Sequence, residues 1–241
     1  MKTYFFGGPV TRTVKALIAA NIAVFLLQTL SHLLGSHFID LYFGLVPVRV
    51  TREGMLWQFV TYMFLHGSIF HIFFNMLTLF MFGNDLERYW GTHRFLIYYL
   101  TTGIGAGVCS WLVAMNSWAI VIGASGAIYG LLLAYGLTYP NRIVYLNFLL
   151  PLKVKWLVLI MGAMAFLSSI SGSEPGVASI AHLSGMVVGY LFLTGRDWGD
   201  KYRLFNEHRQ REQLKKQFEV YYGDVRRKVE ADSKKKGPTI H

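Results

Sequence analysis

The chain has 241 residues, of which 54% are hydrophobic and only 15% charged. A water-soluble domain carries about a quarter charged residues, so the composition excludes an ordinary soluble enzyme, and the single cysteine, Cys109, excludes a disulfide scaffold. The net charge of +10 is concentrated, with residues 196–241 holding 13 of the 23 Lys and Arg; the other basic residues mostly flank apolar runs, so no nucleic-acid partner is expected.

Residues 1–13 are expected to be a short cytoplasmic N-terminus. The first membrane span is predicted over Val14–Leu34, behind Lys2, Arg12 and Lys15. No small-residue cleavage site follows it, so it reads as retained rather than as a signal peptide. Residues 35–67 form a loop whose later part, 41–67, has amphipathic stretches. The apolar run Trp57–Gly83 is long for one crossing and contains Gln58, His66, His71 and Asn75, so only Ser68–Gly83 is assigned to the second span. Further spans are predicted at Phe95–Met115, Trp118–Tyr139, Val154–Ser171 and Val177–Gly195. The expected fold is all-α, a polytopic bundle of six membrane helices over residues 14–195. The tail, 196–241, reads as a charged amphipathic helix to about Lys228 and a basic end at Lys234–Lys236, solvated and held near anionic lipid.

Charge placement supports this count. With the N-terminus inside, the cytoplasmic segments hold 21 Lys and Arg and the outer segments only Arg49 and Arg52. That is the bias of the positive-inside rule. Both termini are expected to be cytoplasmic, in a cell membrane of the bacterial inner or plasma type.

Strongly polar side chains are expensive in hydrocarbon, so those inside spans are functional candidates. His71 and Asn75 lie in the second span, Ser125 in the fourth and His182 in the sixth. All three spans start at the outer face, and each residue lies a few positions inside its start. His71 and Asn75 share a helix face at i, i+4, as do Ser125 and Tyr129. Gly126 and Gly130 form a small strip beside the serine, and His182, Gly185 and Gly189 fall on one face. Packing one glycine strip against the other would bring the Ser125 hydroxyl within reach of the His182 ring.

Each signal alone has a bland explanation. A lone serine in a membrane helix usually bonds back to its own backbone, a lone histidine usually bonds across helices, and small-residue strips are common packing devices. Coincidence of depth, face and chemical type over three spans is what singles them out. A serine becomes a nucleophile when a histidine takes its proton. Acyl transfer also needs donors for the oxyanion, which Asn75, His71 and the Ser125 backbone N–H could supply. The acidic residues of the span region, Asp40, Glu53, Asp85, Glu87 and Glu174, all fall in loops or at span ends, so a Ser–His dyad without a carboxylate is implied. Tyr129 is placed to stack on the imidazole. No Cys/His zinc spacing, phosphate loop or repeat is present, and no metal or cofactor is expected.

At these residues the chain resembles the rhomboid family of intramembrane serine proteases. The matching stretches are HGSIFHIFFN at 66–75, GASGAIYG at 123–130 and AHLSGMVVG at 181–189, in the family's order, with similarity over roughly residues 50–195. The resemblance implies Ser125 as nucleophile, His182 as general base, His71 and Asn75 as the oxyanion pair, and Tyr129 beside the catalytic histidine. It adds Gly123 and Gly126 as support for ring and substrate, His66 as a further histidine, and Glu87 as a structural hydrogen-bonding residue. The family's Trp-Arg pair in the first loop is here Trp57-Gln58, which leaves the anchoring of that loop to be established. Substrates implied are single-span membrane proteins cut near helix-destabilising residues, with the second and fifth spans and the 172–176 loop as the gate. The alternative is a catalytically inactive relative that binds membrane clients, which is expected to lack the serine or the histidine. A transporter would spread its ionisable residues through the bilayer depth instead.

Overall fold

The computed structural model describes residues 9–146, 150–171 and 179–195. Three of its helices are long and apolar enough to cross a membrane. The first is α1 (Arg12–Leu33). The second combines α5 (Ile69–Thr78), a π-helical turn at Leu79–Gly83 and α6 (Asn84–Trp90). The third is α7 (Thr92–Val113). Each runs for 22 residues, or about 33 Å, enough for a hydrocarbon layer of about 30 Å. Three shorter apolar helices follow, α8 (Ser125–Thr138), α9 (Val154–Ser171) and α10 (Ser179–Gly195). Short helices α2 (Phe38–Phe43), α3 (Pro47–Glu53) and α4 (Gln58–Thr61) fold the segment between α1 and α5 into a compact cap.

An apolar core holds a set of buried polar groups, and large apolar side chains also cover much of the outside. Asn21, Gln28, Asn75, Asn84, Glu87, Thr102 and Ser110 are buried, whereas Leu26, Leu27, Leu30, Phe70, Phe73, Leu159 and Leu167 face outward. In water such a surface would associate at once. Among lipid chains it costs nothing, and the inner polar groups must then find partners within the protein.

Glu87 shows how. The N-terminus of α1 has no side-chain cap of its own, and the first turn of a helix leaves its N–H groups unpaired. The buried Glu87 carboxylate supplies the cap from α6. It accepts hydrogen bonds from the Val14 N–H at 3.1 Å, the Thr13 N–H at 3.3 Å and the Thr92 hydroxyl at 2.7 Å. A carboxylate at a helix N-terminus also complements the helix dipole. At the other end α1 stops where Gly35 adopts φ +73°, the left-handed conformation that glycine tolerates.

The divergent loop residue has a comparable role. Gln58 is fully buried. Its Oε1 accepts from the Val46 N–H at 2.9 Å, and its Nε2 donates to the carbonyls of Tyr42 at 3.2 Å and Leu41 at 3.3 Å. The neighbouring Trp57 indole also donates to Tyr42 O, at 3.0 Å. An uncharged amide therefore ties the loop together where the family's Arg was missing.

The structure corrects several boundaries. The helix predicted over Trp118–Tyr139 begins only at Ser125. Residues 118–124 are largely extended, and Val121 exchanges two backbone hydrogen bonds with Leu45, at 3.0 and 2.9 Å. Ile120, Val121 and Ile122 are β-branched and apolar, so hydropathy counted them as span, although the Val121 backbone pairs with the cap. The second predicted span, Ser68–Gly83, continues to Trp90 because Glu87 and Asn84 are satisfied inside the bundle. The segment after α8 forms an antiparallel hairpin, β1 (Ile143–Leu146) with β2 (Leu150–Lys153), a small β element in a fold expected to be all-α. The 172–176 loop, Val177 and the tail from Arg196 lie outside the described residues.

Candidate active site

Ser125 is the first residue of α8, directly after the extended segment. Two hydrogen bonds hold that junction: Gly123 N–H donates to Tyr62 O at 2.9 Å, and the Tyr62 hydroxyl donates to Gly103 O on α7 at 2.6 Å. Gly123 has φ +128°, a conformation that L side chains rarely adopt. A Cβ there would also lie 2.8 Å from both Cε1 and Nε2 of His71. Glycine is thus required twice at this position, for the turn and for the approach of the His71 ring.

α10 brings in His182, whose Nε2 lies 2.8 Å from Ser125 Oγ, normal for a hydrogen bond. Tyr129, one turn along α8, stacks on the imidazole with centroids 4.5 Å apart and planes 3° from parallel. What allows the approach is Gly185. A Cβ on it would fall 2.8 Å from the Gly126 carbonyl carbon and closer still to its oxygen. Backbone meets backbone, so only glycine fits.

The expected zipper of two glycine strips holds for this pair and not for the next. Gly130 and Gly189 both open onto α7: a Cβ at Gly130 would press on Thr102, and one at Gly189 on Tyr98 and Thr102. The Tyr98 hydroxyl in turn donates to Gly130 O at 2.8 Å. The joint is therefore among three helices. Side chains of α7 fill what the pairwise picture left empty.

From α5, Ser68 caps the helix by accepting from the His71 N–H at 3.2 Å. The His71 Nδ1 faces the Gly67 N–H at 3.4 Å, which puts the ring proton of the neutral imidazole on Nε2, the nitrogen turned toward Gly123. Asn75 lies one turn further on the same face, 6% exposed, and its Nδ2 is buried with no hydrogen-bond partner among the described residues. A buried donor left unpaired costs about 1–3 kcal/mol unless something else occupies it. His66, just before α5, is buried edge-on to His71, with centroids 5.0 Å apart. Burial first, and then the neighbouring His71, lower its pKa to about 4, so it stays neutral beside the site.

All the residues singled out in the sequence thus lie on adjoining elements: Ser125, Gly126 and Tyr129 on α8, His182 on α10, and His71 with Asn75 on α5, joined by Gly123. Chemically, the arrangement joins a hydroxyl to a nitrogen base beside potential N–H donors. Tyr62 was missed. Its signal, an aromatic in an amphipathic loop, is too common to mark it.

Comparison with known proteins identifies the family. Residues 53–196 match the Rhomboid domain family. Rhomboid protease AarA of Providencia stuartii is 30% identical over 212 residues, covering 79% of this chain and 74% of that protein. Putative rhomboid protease YdcA of Bacillus subtilis is 31% identical over 139 residues, 58% of this chain and 66% of that one. RHOMBOID-like protein 4 of Arabidopsis thaliana is 34% identical over 149 residues, 61% of this chain, which spans only 36% of the plant protein's length. With its apolar helices and these matches, the chain is a multi-pass membrane protein belonging to the rhomboid family.

Proposed function

We propose that this protein is an intramembrane serine endopeptidase that cleaves single-span membrane proteins through a Ser125–His182 dyad. The observation that carries the reading is the 2.8 Å contact of His182 Nε2 with Ser125 Oγ across two helices. In the proposed reaction His182 takes the hydroxyl proton while Ser125 Oγ attacks the scissile carbonyl. The tetrahedral oxyanion is held by Asn75 Nδ2, His71 Nε2–H and the Ser125 backbone N–H. The imidazolium then gives its proton to the leaving amine, which departs and leaves an acyl-enzyme on Ser125. Water attacks the ester, again with His182 as base, and releases the second product.

Substrate chemistry follows from depth. A helix of 14 residues is about 21 Å long, so in a six-span arrangement with both termini cytoplasmic Ser125 would lie about 10 Å beneath the outer surface. A stable helix keeps its carbonyls hydrogen-bonded in lipid. Segments that unwind easily near the outer face are therefore the ones that reach the serine. We place the gate between α5 and α9; the remainder of the proposed gate, residues 172–176, lies outside the described residues. The cell membrane is the proposed location.

The test is cleavage of a single-span reporter by the purified protein in liposomes. Ser125→Ala and His182→Ala each abolish cleavage. Full activity in either variant overturns the mechanism, and no cleavage of any single-span reporter by the unaltered chain supports the inactive, client-binding alternative instead.

A further inference from the structure

Away from the dyad, the turn joining α1 to α2 gathers three potential ligands. His32 lies in the last turn of α1, His37 precedes α2 and Asp40 is in its first turn. Ligand atoms of the three all lie within 4.8 Å of one another. His32 Nε2 is in direct contact with Asp40 Oδ2, and His37 Nδ1 is 3.6 Å from the same oxygen. For a tetrahedral ion with bonds of about 2.0–2.1 Å, donor atoms are separated by about 3.3 Å. The two ring centroids are 4.9 Å apart, and both histidines are exposed.

The carboxylate between them is unusually placed. Asp40 is buried, and among the described residues its ion-pair partners are these two histidines alone. A buried carboxylate is held by hydrogen bonds or by a cation beside it. Its other oxygen is occupied, since Gln28 Nε2 donates to Asp40 Oδ1 at 2.6 Å. This leaves Oδ2 turned to the histidines, as an outer partner orients a metal-binding carboxylate. Gln28 is itself fixed, its Oε1 accepting from the His66 N–H at 3.0 Å.

We propose that His32, His37 and Asp40 form a binding site for Zn²⁺, with water completing the shell on the exposed side. The ion neutralises the buried carboxylate and joins the end of α1 to α2. Through Gln28 it also braces the backbone at His66, where the chain enters α5. The site is separate from the dyad and does not depend on the protease reading.

The test uses full-length, tag-free protein stripped with chelator, in detergent above about pH 7, where free imidazole is neutral. Zn²⁺ is added and followed by calorimetry and thermal unfolding. Saturable binding of one ion and a rise in Tm are expected, because a ligand of the folded state stabilises it. His37→Ala removes a ligand whose side chain is 72% exposed, so the chain still folds, while Kd weakens by about tenfold or more and the Zn²⁺-dependent rise over its own metal-free Tm is lost. Absence of saturable binding, or the same Kd in wild type and His37→Ala, overturns the proposal.

Discussion

Gly185→Ala is the smallest change that tests whether close approach of α10 to α8 sets the candidate site. The added methyl would sit 2.8 Å from the Gly126 carbonyl carbon and 3.1 Å from its Cα. Relaxed carbon contacts are about 3.5–4.0 Å, the carbonyl oxygen is closer still and the obstacle is backbone, so α10 has to retreat by about 1 Å or more. His182 lies three residues before Gly185 on the same helix and moves with it. Its 2.8 Å contact with Ser125 then stretches to about 3.5 Å or more, past useful hydrogen-bond length. A misplacement of about 1 Å can cost a factor of about 10², and overpacking a tight contact costs about 1–3 kcal/mol of stability. Reporter cleavage in liposomes is therefore expected to lose about two orders of magnitude in kcat, with a lowered Tm. Gly162→Ala is the control. Its nearest neighbour is Met186 Sδ, 3.4 Å away at the end of a flexible side chain, so activity should be close to wild type. Wild-type kcat in Gly185→Ala would refute the argument that backbone proximity positions the histidine.

Asn75→Ala removes a buried unpaired donor and should lower kcat by about 10²-fold or less, since loss of one oxyanion donor costs about 10²–10³ and other donors remain; an unchanged kcat would remove Asn75 from that role. Tyr129→Ala loses the ring stacked on His182, an interaction worth about 0.5–1.5 kcal/mol, so kcat is expected to drop by about tenfold or less and to recover in Tyr129→Phe. Glu87→Ala leaves the N–H groups of Val14 and Thr13 and the hydroxyl of Thr92 without their acceptor. It should destabilise by about 1–3 kcal/mol, measured by thermal unfolding in detergent, while Glu87→Gln retains part of the loss; equal Tm in Glu87→Ala and wild type would refute the cap.

Much of the site could be read from the order of residues because it depends on helical period. His71 and Asn75, Ser125 and Tyr129, and His182 and Gly185 each share a face at spacings that any α-helix imposes. Composition likewise dictated an apolar exterior, since a chain so poor in charge has too little polar surface to meet water.

What remained hidden depends on partners distant in the chain. Whether Ile120–Ile122 would enter a helix or an extended strand turned on Leu45, whose backbone pairs with Val121; hydropathy is the same in both cases. The resemblance marked Glu87 as a hydrogen-bonding residue, but its partners Thr11, Thr13, Val14 and Thr92 could be named only from the packing. Gln58 appeared as a departure and proved to be an anchor because three backbone groups of the cap face it. His32, His37 and Asp40 form no complete Cys/His zinc motif, and it is the turn at Gly35 that folds them together. Periodicity describes one element at a time, whereas a buried polar group is satisfied by whichever donors and acceptors the completed packing places beside it.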